Sequence, residues 1–105
     1  MYFNYADHPI WNHTIDLVFD CYLSLGSQNG FNPILNRILK SVTGYSTAVK
    51  QGFSTDYRAF KSARNLLAQF KTNLFLAKDL GLLEQGTFLC LRRHLAALIP
   101  LVREL

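Results

Sequence analysis

The amino-acid sequence predicts an all-α fold, an antiparallel up-down-up-down bundle of four helices in one domain over residues 1–105. In four separate stretches, apolar residues recur at alternating steps of three and four, which is the spacing of one face of an α-helix. The stretches are joined by short connections, and none shows the two-residue alternation of a strand. At 105 residues the chain is long enough for one hydrophobic core and too short for two.

The first helix is predicted from about Asp7 to Leu25. Asp7 is the expected capping residue, and Pro9 is tolerated in a first turn because its missing N–H is not needed there. The residues assigned to its buried face are Trp11, Ile15, Val18, Tyr22 and Leu25. Further large apolar residues fall outside that face, more than a solvated side requires: Leu17, Phe19 and Leu23.

The second helix is predicted to begin at Asn32 and Pro33, a capping residue followed by proline at the first helical position. It is expected to reach about Gln51 and to stop at Gly52. Gly44, in its middle, destabilises a helix by about 1 kcal/mol relative to alanine, which predicts a close approach of another group at this point. The expected inward residues are Leu35, Ile38, Val42, Tyr45 and Val49.

The third helix is predicted within the stretch from Ser54 to Leu83, around which the chain is organised. Ser54 or Thr55 is the expected cap, and Gly81 is the expected end. Its apolar face contains Phe60, Ala63, Leu67, Phe70, Leu74 and Ala77. Beside that face, four residues recur every seven positions and form a largely basic flank: Tyr57, Arg64, Lys71 and Lys78.

The fourth helix is predicted from near Glu84 to the end of the chain. Its apolar face repeats in threes and fours through Phe88, Leu91, Leu95, Leu98, Val102 and Leu105. Pro100 falls at the position furthest from this face, so we expect it to bend the helix without placing its ring in the core.

The charge is distributed unevenly. Residues 1–34 carry a formal charge of −3 with no Lys or Arg, whereas residues 35–105 carry +7. This asymmetry predicts a polyanion or an acidic protein as partner, and a merely solvated basic surface stays open as an alternative. Cations about 10 Å apart along a helix can follow a phosphate backbone without reading bases. The candidate nucleic-acid-binding residues are Arg58, Lys61, Arg64, Lys71, Lys78, Arg92 and Arg93.

No catalytic residue, metal site or cofactor is predicted. The three histidines are not assigned to a ligand set, and Cys21 and Cys90 are interpreted as small buried hydrophobes. No glycine-rich phosphate loop or nucleophile motif occurs, so we expect neither an enzyme nor a small-molecule substrate. With no apolar run near the ~18 residues of a membrane span and no signal peptide, the expected location is the cytoplasm. A disulfide stays open, but a reducing cytosol is the simpler interpretation.

Surplus apolar residues predict a homo-oligomer. A bundle of this size cannot bury every large apolar side chain that lies off the four apolar faces, and large exposed apolar patches mark interfaces. The candidate interface residues are Leu66, Phe75, Leu76 and Leu80.

One stretch of the chain resembles a known bacterial family. The run Ala63-Arg64-Asn65-Leu66-Leu67-Ala68-Gln69-Phe70-Lys71-Thr72-Asn73-Leu74, followed by Ala77 and Leu80-Gly81-Leu82, is similar to that family's third-helix signature. The members are small four-helix-bundle proteins encoded in intervening sequences of large-subunit ribosomal RNA genes, and the related accessory variability determinant (Avd) of diversity-generating retroelements. Gly52 stands where the family's second helix ends, and Trp11 stands where an early Val-Trp usually does.

Departures from the family pattern favour its retroelement branch. Asn65 and Leu66 replace Gly-Ser, Gln69 replaces Glu, and residues 48–51 are not the usual Asn-Ile-Ala-Glu, so typically acidic positions are neutral or basic. The resemblance then implies a pentamer of four-helix protomers that binds a reverse transcriptase and its template RNA during mutagenic retrohoming. Binding of DNA instead of RNA stays open. So does the other branch, a structural bundle of the ribosomal intervening-sequence type with no identified partner.

Overall fold

Four helices and no strand make up the part of the chain that the computed structural model describes, residues 7–26 and 32–105. The helices are α1 (Pro9–Leu25), α2 (Pro33–Ser54), α3 (Ala59–Asp79) and α4 (Gln85–Arg103). Contacts join α1 to α2, α2 to α3, α3 to α4 and α4 to α1, as in a four-helix bundle. This confirms the predicted all-α class. The predicted domain also includes residues 1–6 and 27–31, which lie outside the described ranges.

The apolar faces predicted for α2, α3 and α4 are confirmed. All the inward residues predicted for α2 are buried, and so are those of α3 and α4 except Phe60 and Leu105, which are half-buried. Pro100 lies inside α4 and is exposed, in keeping with its position away from the buried face. None of the described helices has the length and hydropathy needed to cross a lipid bilayer.

The buried face of α1 differs from the predicted one. Of the predicted residues only Leu25 is buried, and Ile15 and Tyr22 are exposed. The residues that enter the core are Ile10, Thr14, Leu17, Cys21 and Leu25. Thr14 explains the error, because an apolar pattern does not count a threonine as a core residue. Its hydroxyl lies 2.9 Å from the hydroxyl of Tyr45, and this hydrogen bond satisfies both buried groups.

Two predicted caps hold and three helix ends are corrected. Asn32 caps α2 by accepting a hydrogen bond from the Ile34 N–H at 2.9 Å. Gly81 terminates α3 by adopting a left-handed conformation, with a φ of +73°. The N–H of the next residue, Leu82, donates to the Ala77 carbonyl in the last turn of the helix. At α1, however, the cap is His8 instead of Asp7, since its Nδ1 accepts from the Ile10 N–H at 3.1 Å.

The other two corrections concern the connection between α2 and α3. Helix α2 continues through Gly52 to Ser54, and α3 begins only at Ala59. The hydroxyls of Ser54 and Thr55 donate to carbonyls four residues earlier in α2, so they belong to its last turn and do not cap α3. A serine or threonine near a helix end can bond in either direction, and the sequence does not distinguish the two.

Two glycines allow α2 and α3 to pack closely, and this pair of helices makes the most extensive contact in the bundle. A Cβ atom on Gly44 would lie 3.3 Å from Cδ1 of Leu66, which confirms the predicted close approach. At Gly52 the ring of Phe60 already occupies the space that a Cβ atom would need. Gly52 is therefore a packing position and does not stop the helix.

We predict that Gly52→Ala lowers the free energy of unfolding by about 1–2 kcal/mol, because displacing the Phe60 ring outweighs the better helix propensity of alanine. Gly86 is the matched control, since it is also helical and a Cβ atom there meets nothing within 4 Å. Gly86→Ala should raise the free energy of unfolding by up to about 1 kcal/mol. Urea denaturation measures both, and equal effects of the two substitutions would contradict this account of Gly52.

Alkaline pH should destabilise the protein through Tyr45. Burial raises the pKa of Tyr45 to about 12, so between its unfolded pKa near 10 and that value the unfolded chain releases a proton that the folded chain keeps. Stability therefore falls as pH rises, and the tyrosine contributes about 1 kcal/mol of this loss at pH 11. Burial raises the pKa of Cys21 to about 12 as well, which adds to the loss.

The comparison of Tyr45→Phe with the wild type isolates the contribution of Tyr45 to the loss of stability at alkaline pH. Urea denaturation between about pH 9 and pH 11 should show a smaller fall in stability for Tyr45→Phe. Tyr57→Phe is the control, because Tyr57 is 77% exposed and the substitution should leave the pH dependence unchanged. Parallel curves for Tyr45→Phe and the wild type would show that the hydroxyl of Tyr45 is not shielded from solvent.

Candidate nucleic-acid interface

A groove with basic walls runs between α3 and α4, and we call it the α3/α4 groove. Of the four neighbouring helix pairs, these two make the least extensive contact. Arg64, Lys71 and Lys78 follow one flank of α3 at seven-residue steps, about 10 Å apart. On α4, Arg92 and Arg103 are eleven residues apart, close to three full turns, so they share a face.

One part of the groove is a cavity of 250 Å³ with cations on both walls. Arg64 and Lys71 line it from α3, and Arg103 lines it from α4. Its remaining lining is apolar and consists of Leu67, Ala68, Ile99 and Val102. Charged groups on the walls and aliphatic side chains on the floor give this part of the groove surfaces for both a phosphate and a base.

The other part of the groove is a cavity of 410 Å³ lined by Lys78 and Arg92 together with Phe88 and Leu89. The Nζ atom of Lys78 lies 5.0 Å from the centroid of the Phe88 ring, a cation–π contact. Phe75 packs edge-on against the same ring with centroids 5.2 Å apart. This aromatic pair holds the Lys78 ammonium beside the groove without neutralising its charge.

The charge of the groove is uncompensated. No acidic side chain lines either cavity. In the described part of the chain, none of the five groove cations forms an ion pair with a carboxylate. Positive charges beside an apolar surface of low dielectric constant focus the electrostatic field and raise the local concentration of anions. The arrangement can therefore attract and hold a chain of phosphates.

The structure brings four of the seven predicted binding residues together in the groove: Arg64, Lys71, Lys78 and Arg92. The other three lie elsewhere. Arg58 is bound to Asp56, with Nε 3.1 Å from Oδ1, and these hydrogen bonds lower the pKa of the Asp56 carboxyl group. Lys61 is exposed near the start of α3. Arg93 lies close enough to Cys90 for its charge to act on that thiol, away from the groove.

Arg103 was not among the predicted binding residues. The signal that identifies it is its spacing from Arg92, because eleven residues return a helix to nearly the same face. In α4 the adjacent Arg92-Arg93 pair and the apolar face are the more obvious patterns, and neither of them points to Arg103.

The predicted interface residues divide into two kinds. Leu66 and Phe75 are half-buried within the protomer, where they pack against Gly44 and Phe88. Leu76 and Leu80 are exposed at 40% and 56%. A second exposed apolar surface lies on α1, and its residues share one outer face: Ile15 at 45%, Phe19 at 64% and Leu23 at 71%.

A separate cluster of titratable side chains joins α1 to α4, where His94 Nε2 lies 2.5 Å from Asp20 Oδ2. The Cys90 Sγ lies 3.7 Å from the same oxygen. The sequence predicts a buried Cys90 and assigns His94 to no ligand set. Cys90 is in fact exposed, and it precedes His94 by four residues, the spacing that places two ligands on one helix face. Cys21 is buried, as predicted.

No protein-family model matches the chain, and a search of curated proteins finds no match. The resemblance to the intervening-sequence and Avd family therefore stays a prediction.

Proposed function

We propose that this protein is a non-catalytic nucleic-acid-binding accessory protein that resembles Avd and helps a reverse transcriptase to use its template RNA in the cytoplasm. The observation that carries the proposal is the α3/α4 groove, in which five cations face an apolar floor and no acidic side chain lines the cavities. Together with the resemblance of α3 to the Avd signature, this groove makes RNA the polyanion that we assign to it.

An extended polyanion fits the groove better than a small anion does. The three cations of α3 span fourteen residues, or about 21 Å of helix, which is the length of several nucleotides. Contacts to phosphates would position the strand without selecting a sequence, as a mutagenic template requires.

We further propose an antiparallel topology. Four residues connect α2 to α3 and five connect α3 to α4. Such connections reach at most about 18 Å, whereas helices of 19–22 residues are about 30 Å long. A connection this short cannot return the chain to the starting end of the preceding helix, so α3 reverses the direction of α2, and α4 reverses that of α3.

We also propose a homo-oligomer in which the outer face of α1 packs against α3 of the next protomer. Ile15, Phe19 and Leu23 offer one apolar patch, and Leu76 and Leu80 offer the other. The charges are complementary, because α1 contains acidic residues and no cation whereas α3 is basic. Two different patches on opposite corners of the bundle make a head-to-tail contact, which closes into a ring when the rotation between neighbouring protomers divides a full turn. The resemblance implies five subunits.

Removing a groove cation should weaken the salt dependence of RNA binding. For each of Arg64→Ala, Lys71→Ala and Arg103→Ala, the slope of log affinity against log salt should fall by roughly 0.7–1, because one phosphate contact is lost. Fluorescence anisotropy with a single-stranded RNA at several salt concentrations measures the slope. Lys50→Ala is the matched control, since it removes an exposed cation from α2, which does not pack against α4.

The adjacent arginines of α4 sharpen this test. Arg92 lines the groove and Arg93 does not, so Arg92→Ala should lower the slope and Arg93→Ala should leave it near the wild-type value. Equal effects of Lys50→Ala and Arg64→Ala, or no RNA or DNA binding by the wild type at low salt, would contradict the proposed interface. Co-purification with bound proteins identified tests the reverse transcriptase separately.

The assembly should dissociate when a charge is placed in either apolar patch. Leu23→Glu and Leu80→Glu should each reduce the mass measured by light scattering to about 12.0 kDa while the helical circular dichroism is retained, because both side chains are exposed in the protomer. Leu89→Glu, an exposed leucine of α4 outside both patches, should leave the mass unchanged. A wild type that is monomeric at micromolar concentration would refute the assembly.

A further inference from the structure

The cluster between α1 and α4 has the donor atoms of a transition-metal site. Cys90 Sγ, His94 Nε2 and a carboxylate oxygen of Asp20 all lie within 4.8 Å of one another. Cys90 and His94 come from successive turns of α4, and Asp20 faces them from α1. The side chains of His94 and Asp20 are 23% and 29% exposed and Cys90 is exposed, so an ion can reach all three from solvent.

We propose that Asp20, Cys90 and His94 bind a divalent ion of the zinc type, with water in a fourth position. One thiolate, one imidazole and one carboxylate are the mixed donors that zinc accepts, whereas magnesium and calcium take oxygen ligands alone. Three protein ligands leave one tetrahedral position open. The proposal is independent of the nucleic-acid interface, which lies on a different face of α4.

One separation between donor atoms already matches a tetrahedral site, and a second requires a small change. Bonds of about 2.0–2.3 Å to a tetrahedral zinc place the ligand atoms roughly 3.3–3.8 Å apart. The 3.7 Å between Cys90 Sγ and Asp20 Oδ2 already falls in this range. The 2.5 Å between His94 Nε2 and Asp20 Oδ2 is a hydrogen bond, and it must lengthen by about 1 Å when the ion takes the place of the proton. Rotation of the partly exposed Asp20 side chain supplies this change.

The arrangement does not suit a nucleophilic cysteine. An activated thiol needs a base that can accept its proton. His94 and Cys90 contact the same oxygen of Asp20, so the imidazole is engaged by the carboxylate and not by the thiol.

A divalent cation would remove the repulsion between the Asp20 carboxylate and a Cys90 thiolate. It would neutralise the carboxylate and the thiolate together, and its binding would release the thiol proton to solvent. It would also join the first helix of the bundle to the last. Cys21 adjoins Asp20 in the sequence, but it is buried in the core and its thiol is not one of the ligands.

Cobalt and zinc binding to the reduced full-length protein test the proposal. Cobalt(II) should bind at one equivalent, with the absorption of a tetrahedral site and a thiolate charge-transfer band, and zinc should displace it. Cys90→Ser should lose the thiolate band although Cys21 remains. His94→Ala and Asp20→Asn should weaken zinc binding at least about tenfold, a loss that even an outer-shell substitution can cause. His13→Ala is the matched control and should bind as the wild type does.

Thermal unfolding provides an independent measurement. Zinc should raise the unfolding temperature of the wild type and of His13→Ala, and the rise should be absent in Cys90→Ser and His94→Ala. Circular dichroism without metal verifies that each variant is folded. The proposal is overturned if the wild type binds neither ion at micromolar concentration, or if Cys90→Ser and His94→Ala bind zinc as tightly as the wild type. Wild-type zinc binding by Arg64→Ala would separate this site from the RNA interface.

Discussion

The close packing of α2 against α3 is the constraint on which the rest of the structure depends. A glycine inside a helix weakens it by up to about 1 kcal/mol relative to alanine, yet in α2 Gly44 admits Leu66 and Gly52 admits the ring of Phe60. These contacts commit one side of α3 to α2, so α3 meets α4 along a less extensive contact. The flank of α3 that carries its cations therefore borders an open groove. The apolar packing of α2 against α3 thus determines where the cations of α3 are accessible to an anion.

A buried polar contact has the corresponding role for α1. The Thr14 and Tyr45 hydroxyls satisfy each other in the core, and an unpaired buried hydroxyl would cost about 1–3 kcal/mol. The helix therefore turns Thr14 inward, although its neighbour Ile15 is more apolar. The same rotation leaves Ile15, Phe19 and Leu23 on the outer surface. The position of the apolar patch proposed for assembly thus follows from the rotation of α1 that this hydrogen bond and the buried apolar side chains of α1 favour together.

The sequence predicts this fold well where apolar spacing alone decides it. In α2, α3 and α4 the apolar positions form one uninterrupted face, and the core follows that face. In α1 the pattern fails because a hydrogen-bonded threonine replaces an apolar residue, and its partner Tyr45 is 31 residues away. Gly52 was interpreted as a stop because a glycine that ends a helix and one that admits a ring look alike in a sequence. The seven-residue spacing on α3 predicts Arg64, Lys71 and Lys78, and the adjacent Arg92-Arg93 pair predicts Arg92, whereas Arg103 is recognised only from its spacing of three turns from Arg92. The cluster around His94 could not be predicted from the sequence, because its partner Asp20 is 74 residues away along the chain.

The groove cations and the exposed apolar face of α1 lie on different helices. The five cations line the α3/α4 groove, whereas α1 contains no Lys or Arg and presents the exposed side chains of Ile15, Phe19 and Leu23. One surface is thus suited to a polyanion and the other to a protein.

The central claim, that the groove is the nucleic-acid interface, is tested most directly by the backbone amide NMR spectrum during titration with a single-stranded RNA at low salt. The account predicts shifts concentrated at Arg64, Lys71, Lys78, Arg92 and Arg103 that added salt reverses. Shifts concentrated on α1 with an unaffected groove would contradict it.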